Sequence, residues 1–141
     1  MENNNIIIYG TPFGKQRPRV TQFGGFAHAY TPKETVNYEA LIKHEYVQQS
    51  NKFYDSDLPL KLTIKAYFDI PKAFSKTKRQ NAIEGQIRPM KKPDYDNIAK
   101  VVTDALNKVA FDDDKQIVEA SIKKYYSERP RVEFFLEEVK W

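Results

Sequence analysis

The sequence contains no cysteine and only two histidines, and these shortages narrow the chemistry open to it. Without cysteine the chain forms no disulfide and no thiolate metal site, which fits a reducing compartment. His28 and His44 do not share the spacing of paired metal ligands, so a zinc site or a histidine-based nuclease is disfavoured. Carboxylates remain as the candidate metal ligands.

Long apolar runs are also absent. No segment approaches the roughly 20 apolar residues of a membrane-spanning helix. Met1–Asn5 lacks the basic and apolar regions of a signal peptide. We therefore expect a cytoplasmic protein with no membrane partner. A chain of 141 residues can build one core, so residues 1–141 are expected to form a single domain, with residues 1–5 as a flexible N-terminus.

The charge is modestly positive, with 23 lysines and arginines against 19 acidic residues, a formal net charge of +4. This balance favours a polyanionic partner without requiring one. Two basic stretches supply candidate contacts to DNA phosphates, and the alternative for both is a solvated face. The candidates are Lys15, Arg17, Arg19, Lys76, Lys78 and Arg79. Phe23, Phe26 and Tyr30, near the first stretch, either stack on bases or fill the core.

Hydrophobic patterning predicts an α/β (α+β) domain with a mixed sheet and two main helices. The predicted strands are 6–9, 60–68, 116–123 and 132–137, with the last two paired as an antiparallel hairpin. Gly24-Gly25 indicates a further small hairpin. A helix is predicted from Thr31 to about Ser50. Its expected apolar face consists of Val36, Ala40, Leu41, His44 and Val47.

The second main helix follows the stretch Lys-Pro-Asp-Tyr-Asp-Asn at residues 92–97. Asp96 or Asn97 is expected to cap it. Its two faces separate cleanly, because steps of three and four residues share a side. The apolar face is Ile98, Val101, Val102, Ala105, Leu106 and Val109, and the polar face is Asp96, Lys100, Asp104 and Asn107.

A second acidic cluster, residues 112–114, follows this helix and is predicted to return towards its start. Converging carboxylates repel one another unless a cation neutralises them, and Mg²⁺ prefers such oxygen ligands. A divalent ion there can support displacement at a phosphodiester. The alternative is a capped helix with a Lys100–Asp104 pair and an acidic turn.

Two other metal motifs fit less well. A calcium loop beginning at Asp94 would need glycine at the sixth position and glutamate at the twelfth, where Ala99 and Ala105 stand. Pro93-Asp94 followed by Asp113-Asp114-Lys115 matches a restriction-type nuclease formula. The intervening segment is helical, whereas that core places its carboxylates on adjoining strands.

Residues 92–97, together with Lys100, Asp104-Ala105-Leu106 and residues 113–117, resemble the signature of the RusA-type crossover junction endodeoxyribonucleases. These are Holliday junction resolvases often carried by phages and prophages. Residues 14–19 and 29–32 also resemble the N-terminal pattern of that family, so the similarity extends through most of the chain.

The resemblance implies a small α/β homodimer that nicks symmetrically related strands of a four-way DNA junction in recombination and repair. Its catalytic acids would be Asp94, Asp96 and Asp114, and its essential lysine Lys100. The three acids would hold Mg²⁺, with Mn²⁺ able to substitute, and Asp113 would be an accessory ligand. No nucleotide cofactor is expected. The alternatives are a nuclease for other branched DNA, a non-catalytic prophage protein that binds branched DNA, and a small-molecule phosphohydrolase.

Overall fold

The structure, a computed structural model, describes residues 5–140, without the side chain of Phe23. The predicted flexibility of residues 1–5 therefore falls almost wholly outside the described residues. In chain order the elements are β1 (Ile6–Tyr9), β2 (Arg19–Phe23), β3 (Phe26–Tyr30), α1 (Lys33–Gln49), β4 (Leu60–Asp69), α2 (Lys76–Ile83), α3 (Tyr95–Leu106), a 3₁₀ helix (Asp114–Gln116), β5 (Ile117–Ser127) and β6 (Arg131–Glu138).

The main sheet is mixed, as predicted, with strand order β1-β6-β4-β5. The predicted hairpin between β5 and β6 is wrong, because β4 lies between them, parallel to β5 and antiparallel to β6. The three residues 128–130 are enough to cross two strand spacings of about 5 Å each. Placing β4 in the centre gives this ten-residue alternating strand a partner along each edge.

The helices and the core lie on one face of this sheet. Leu62, Ile64 and Phe68 of β4 point to that side and are buried with apolar residues of α1 and α3. The predicted apolar face of α3 is confirmed for Ile98, Val101, Val102, Ala105 and Leu106, whereas Val109 lies beyond the end of the helix. Burying each valine or leucine contributes about 1.5–3 kcal/mol relative to exposure.

Two details of the helices differ from the sequence prediction. The N-cap of α3 is Asp94, not Asp96 or Asn97, and its side chain makes no capping hydrogen bond. Helix α1 has nearly the predicted bounds, but its buried residues are Thr35, Ile42 and Tyr46. Both buried polar groups have partners: the Thr35 hydroxyl bonds to Gln16 and the Tyr46 hydroxyl donates to the Lys52 carbonyl. The buried side of α1 therefore includes polar groups that have hydrogen-bond partners, and the predicted apolar face is exposed.

Strands β2 and β3 form the predicted hairpin as a separate two-stranded sheet. Its turn is Gly24-Gly25, where φ is +61° and +82°, the left-handed pair that a two-residue hairpin loop requires. Phe26 and Tyr30 are 71% and 49% exposed, so neither fills the core of this chain. The side chain of Phe23 lies outside the described part. No helix in residues 5–140 is long and apolar enough to cross a membrane.

Candidate active site

The loop after β1 packs directly on the start of α3, and Gly14 permits this close approach. A Cβ built on Gly14 would lie 2.6 Å from the Pro93 Cβ and 3.1 Å from the Asn97 Cβ, distances that a larger residue could not keep. The Lys15 amide donates to the Asn97 carbonyl at 2.9 Å. The basic loop is thereby fixed beside the stretch that carries the candidate carboxylates.

Lys15 is held inside this arrangement by two carboxylates. Its ammonium lies 2.7 Å from Glu39 of α1 and 3.1 Å from Asp104 of α3. Burial lowers the pKa of Lys15, but hydrogen bonds and charge from Glu39 and Asp104 outweigh it and raise the pKa above its ordinary value of 10.5. Asp104 is therefore paired with Lys15, and not with Lys100 as the alternative, purely structural interpretation of this helix had it. Lys15 stays a predicted DNA contact, although its charge is already neutralised.

The turn before Asp94 is held by a residue that the sequence analysis missed. The Lys124 ammonium, on β5, donates to the carbonyls of Lys91 at 2.6 Å and Pro93 at 3.0 Å. Burial lowers the pKa of Lys124, against the opposing effect of the Asp94 charge. The sequence signal for this role is the alternation of residues along β5, which puts Lys124 on the helix-facing side between Ile122 and Tyr126. A lysine on that side needs hydrogen-bond partners.

Three predicted catalytic side chains line one cavity of about 410 Å³. Asp96 and Lys100 enter it from α3, and Asp114 enters it from the 3₁₀ helix that precedes β5. Asp96 and Lys100 are one turn apart on the exposed side of α3, as the spacing predicted. The apolar wall comes from β4, β5 and Ala99. Two acids and a cation from separate segments thus surround a partly apolar groove.

Asp94 lines a second cavity, of about 550 Å³, together with Gly14, Arg17 and Lys92. The structure therefore brings Arg17 to the same cavity as Asp94. Within residues 5–140, no three acidic or histidine side chains are already close enough to hold a metal ion. Asp96 and Asp114 line one cavity and Asp94 lines the other, so the convergence of all three acids on one cation stays a prediction.

The other members of the acidic cluster make local contacts. Asp113 caps the 3₁₀ helix, with its Oδ2 accepting from the Lys115 amide at 3.0 Å. Asp112 lies 3.4 Å from the ammonium of Lys108. The buried Gln116 side chain accepts from the amides of Asp112 and Asp113 and donates to the carbonyl of Asp55. Gln116 therefore fixes the acidic turn, a role that its position in the sequence did not reveal.

Of the remaining basic candidates, only Arg17 lines one of the two cavities. Arg17 and Arg19 are exposed. The Ser75 hydroxyl caps α2 by accepting from the Lys78 amide, and the Lys78 ammonium lies 4.4 Å from the centre of the Phe74 ring. Arg79 lies 3.4 Å from Glu128 in an exposed pair, and Lys76 is exposed. Exposed pairs of this kind exchange readily for contacts to phosphate.

Comparison with known proteins identifies the family to which this chain belongs. A sequence model of the family described as Endodeoxyribonuclease RusA matches residues 9–137. The chain belongs to the RusA endodeoxyribonuclease family. It is also 35% identical over 141 residues, covering 99% of both chains, to a protein of Bacillus subtilis (strain 168) named Uncharacterized protein YqaN. The RusA match spans every predicted site residue, from Lys15 to Asp114.

RusA-type nucleases generally depend on a divalent metal. The donor chemistry fits. Asp94, Asp96 and Asp114 are exposed, and none has an ion pair or side-chain hydrogen bond within the described part of the chain. Their oxygens are hard ligands suited to Mg²⁺. These three carboxylates are therefore available for a cation, whereas Asp113 already uses one oxygen to cap the 3₁₀ helix.

Proposed function

We propose that this chain is a divalent-cation-dependent endodeoxyribonuclease that resolves four-way DNA junctions by paired symmetric nicks, in recombination and repair. The observation that carries the proposal is the shared cavity of Asp96, Lys100 and Asp114 in a chain of the RusA family. A helix with a purely structural role would not need acids and a lysine without ion pairs around one groove. The groove lies along edge strand β5, so a DNA strand can reach it.

Asp94, Asp96 and Asp114 would hold the cation, with Asp113 as an accessory ligand and Mg²⁺ or Mn²⁺ as the ion. When bound, the ion supplies Lewis-acid stabilisation of the phosphate and activation of water. The family's dependence on a divalent metal and the unpaired state of these three carboxylates support this assignment.

The other side chains would bind and orient the DNA. Lys100, with no ion pair in the described residues, is placed to stabilise negative charge that develops on the phosphate. Lys124 positions the turn that carries Asp94 by holding two backbone carbonyls. Arg17, in the cavity of Asp94, and Arg19 next to it would contact the DNA backbone.

A homodimer would supply the two identical sites that a two-fold symmetric junction needs. The apolar surface left outside in a single chain supports it. Val36, Leu41 and Val47 on α1 are 48%, 39% and 44% exposed, and Phe26 and Val20 on the hairpin are 71% and 66% exposed. Exposed apolar residues that come together in one patch are typical of interaction surfaces, so these side chains are the candidates for the interface.

One gel comparison tests the proposal. Four-way junction, fork and linear duplex are each incubated with Mg²⁺, with Ca²⁺ or with EDTA. Paired nicks in the junction with Mg²⁺ only are the expected result. Equal cutting of the fork would redirect the proposal to branched DNA in general. If no branched DNA is nicked with Mg²⁺, the chain is a non-catalytic binding protein and the proposal is wrong.

A further inference from the structure

The face of the main sheet opposite the helices is uncovered in the described part of the chain. It carries the alternate residues of β4, namely Lys61, Thr63, Lys65 and Tyr67, all half-buried between neighbouring strands. The core residues and the packed helices all lie on the other side. This surface, which we call the open face, plays no part in the site described above.

Aromatic and cationic side chains form a continuous row across the open face. The Arg88 guanidinium lies 4.0 Å from the centre of the Tyr125 ring, and Tyr125 stacks on Tyr67 with centroids 5.5 Å apart. Arg131 lies 3.9 Å from the Tyr67 ring on the next strand. A guanidinium placed over a ring is held in position and can donate to phosphate through its free nitrogens. Arg131 keeps Nη2 for this, because its Nε and Nη1 already donate to Glu133 and to two neighbouring oxygens.

Two lysines stand opposite each other beside this row. Lys65 of β4 and Lys123 of β5 are register partners, and both lie on the open face. Directly opposed like charges destabilise a sheet. The acid nearest in register, Glu133 on β6, already accepts from the Arg131 Nε at 2.6 Å. Neither lysine has an ion pair within residues 5–140, so an anion would relieve their repulsion.

The open face is continuous with the candidate active site around one strand. β5 is an edge strand, and successive residues of a strand point to opposite faces. Lys124 faces the helices and holds the turn before Asp94, while Lys123 faces the open side. Arg88 crosses this edge, since its Nε donates to the Lys124 carbonyl.

We propose that Lys65, Lys123, Arg88 and Arg131 form a second DNA-backbone surface, which holds the phosphates of a duplex arm that leaves the active site across β5. This inference rests on the proposed nuclease function and extends it to a face with no catalytic residue. Its chemistry is that of phosphate binding: two fixed guanidinium groups beside two ammonium groups that lack acidic partners.

The salt dependence of junction binding, measured in Ca²⁺, tests the proposal. Each lost phosphate contact reduces the slope of log K against log salt by about 0.9. Lys65→Gln/Lys123→Gln should therefore reduce it by about two units, and Lys123→Gln alone by about one. The matched control is Lys61→Gln/Lys43→Gln, with the same change in charge. Lys61 faces Glu119 and Glu137 in register, and Lys43 is exposed on α1, so the control slope should stay near wild type.

The outcomes distinguish a failure of the open-face proposal from a failure of the proposed nuclease function. Wild type that nicks junctions with Mg²⁺, together with a double variant of unchanged salt slope, would overturn the open-face surface alone. Wild type that neither binds nor nicks junctions would overturn both. A double variant that changes the sedimentation mass without DNA would also overturn it, since the open face would then join two copies of the chain. The thermal midpoint of the double variant should be no lower than that of wild type, because a repulsion has been removed.

Discussion

Asp94, Asp96 and Asp114 have no ion pair within the described residues, whereas Asp112 lies beside Lys108. This difference decides which substitutions should reduce nicking. Asp94→Asn, Asp96→Asn, Asp114→Asn and Lys100→Ala should each reduce junction nicking roughly 100-fold or more, the scale on which losing one charge-stabilising group acts. Junction binding in Ca²⁺ should persist in all four variants. Each aspartate variant loses a carboxylate that repels phosphate, and Lys100→Ala loses at most one of many phosphate contacts.

The control for this series is Asp112→Asn, which belongs to the same acidic run but contacts only the exposed Lys108 and the Gln116 side chain. Its nicking rate should stay within about twofold of wild type. Normal nicking by Asp94→Asn or Asp114→Asn would rule out the assigned ligand set.

Lys124 is a positioning residue, and its substitution should change turnover rather than affinity. Lys124→Met removes both hydrogen bonds to the turn before Asp94, so nicking should fall about tenfold or more, as expected for a displaced catalytic group. Single-turnover rates and junction affinities measure the two effects separately. Lys124→Arg should recover part of the rate, since it can still donate to a carbonyl. An equal loss in both variants, with lowered thermal stability, would indicate a structural role only.

At the residue scale, the sequence was informative about side chains that share one helix. The spacing of Asp96 and Lys100 predicted a common face, and both line one cavity. The spacing said nothing about Lys124, because its partners are backbone carbonyls 31 and 33 positions away. It also missed Gln116 as the side chain that ties the acidic turn together.

Among the elements, the loop before β2 depends on Gly14. Gly14→Ala would place a methyl group 2.6 Å from the Pro93 Cβ, so the loop must move away from the start of α3. We expect destabilisation of about 1–3 kcal/mol, as for other overpacked sites, together with weaker nicking. Urea unfolding measures the first effect.

The control for Gly14→Ala is Gly24→Asn, at the hairpin turn. Nothing lies within 4 Å of its Cβ position, and asparagine tolerates a φ of +61°. Its stability should remain close to wild type. Equal stability of Gly14→Ala and wild type would show that the loop does not need its close contact with α3.

Lys15 joins the same loop to α1 and α3, and its contribution should depend on pH. Lys15→Gln leaves Glu39 and Asp104 without their cation, so the free energy of unfolding should fall by about 1–2 kcal/mol at pH 7. Because the folded pKa is raised, the stabilisation is complete below the ordinary value of 10.5 and is lost as pH rises through the higher folded value. Urea unfolding at pH 7, 9 and 11 should show the difference between wild type and variant shrinking only at the highest pH. A difference independent of pH would contradict the role of the ion pairs.

Element types were largely predictable, whereas their partners were not. Strong periodicity identified α3 and its buried face, since few other patterns place apolar residues at 98, 101, 102, 105 and 106. In α1 the buried face includes Thr35 and Tyr46, whose polar groups bond to other segments, so hydrophobicity alone selected the wrong side. The pairing of β5 with β6 was expected from their short connection. In the structure each of these strands pairs with β4, which lies between them.

For the whole molecule, the proposed dimer should cut both strands of a junction within one binding event. The chain should sediment as a dimer, and a plasmid with an extruded cruciform should be converted to linear form before nicked circles accumulate. Mixing wild type with an excess of Asp94→Asn chains should convert most of the product to singly nicked circles. A monomer at the concentrations used for cutting would contradict this prediction.

The separate β2–β3 ribbon has a further consequence for the molecule. A two-stranded ribbon that joins no larger sheet is only marginally stable in water, and every described side chain of this ribbon is exposed. Any surface that grips Val20, Phe26 or Tyr30 must therefore also supply the free energy that keeps the ribbon folded. A partner that binds this ribbon, such as the second copy of the chain in the proposed dimer, therefore gains less net binding free energy than the same contacts would give on a rigid surface.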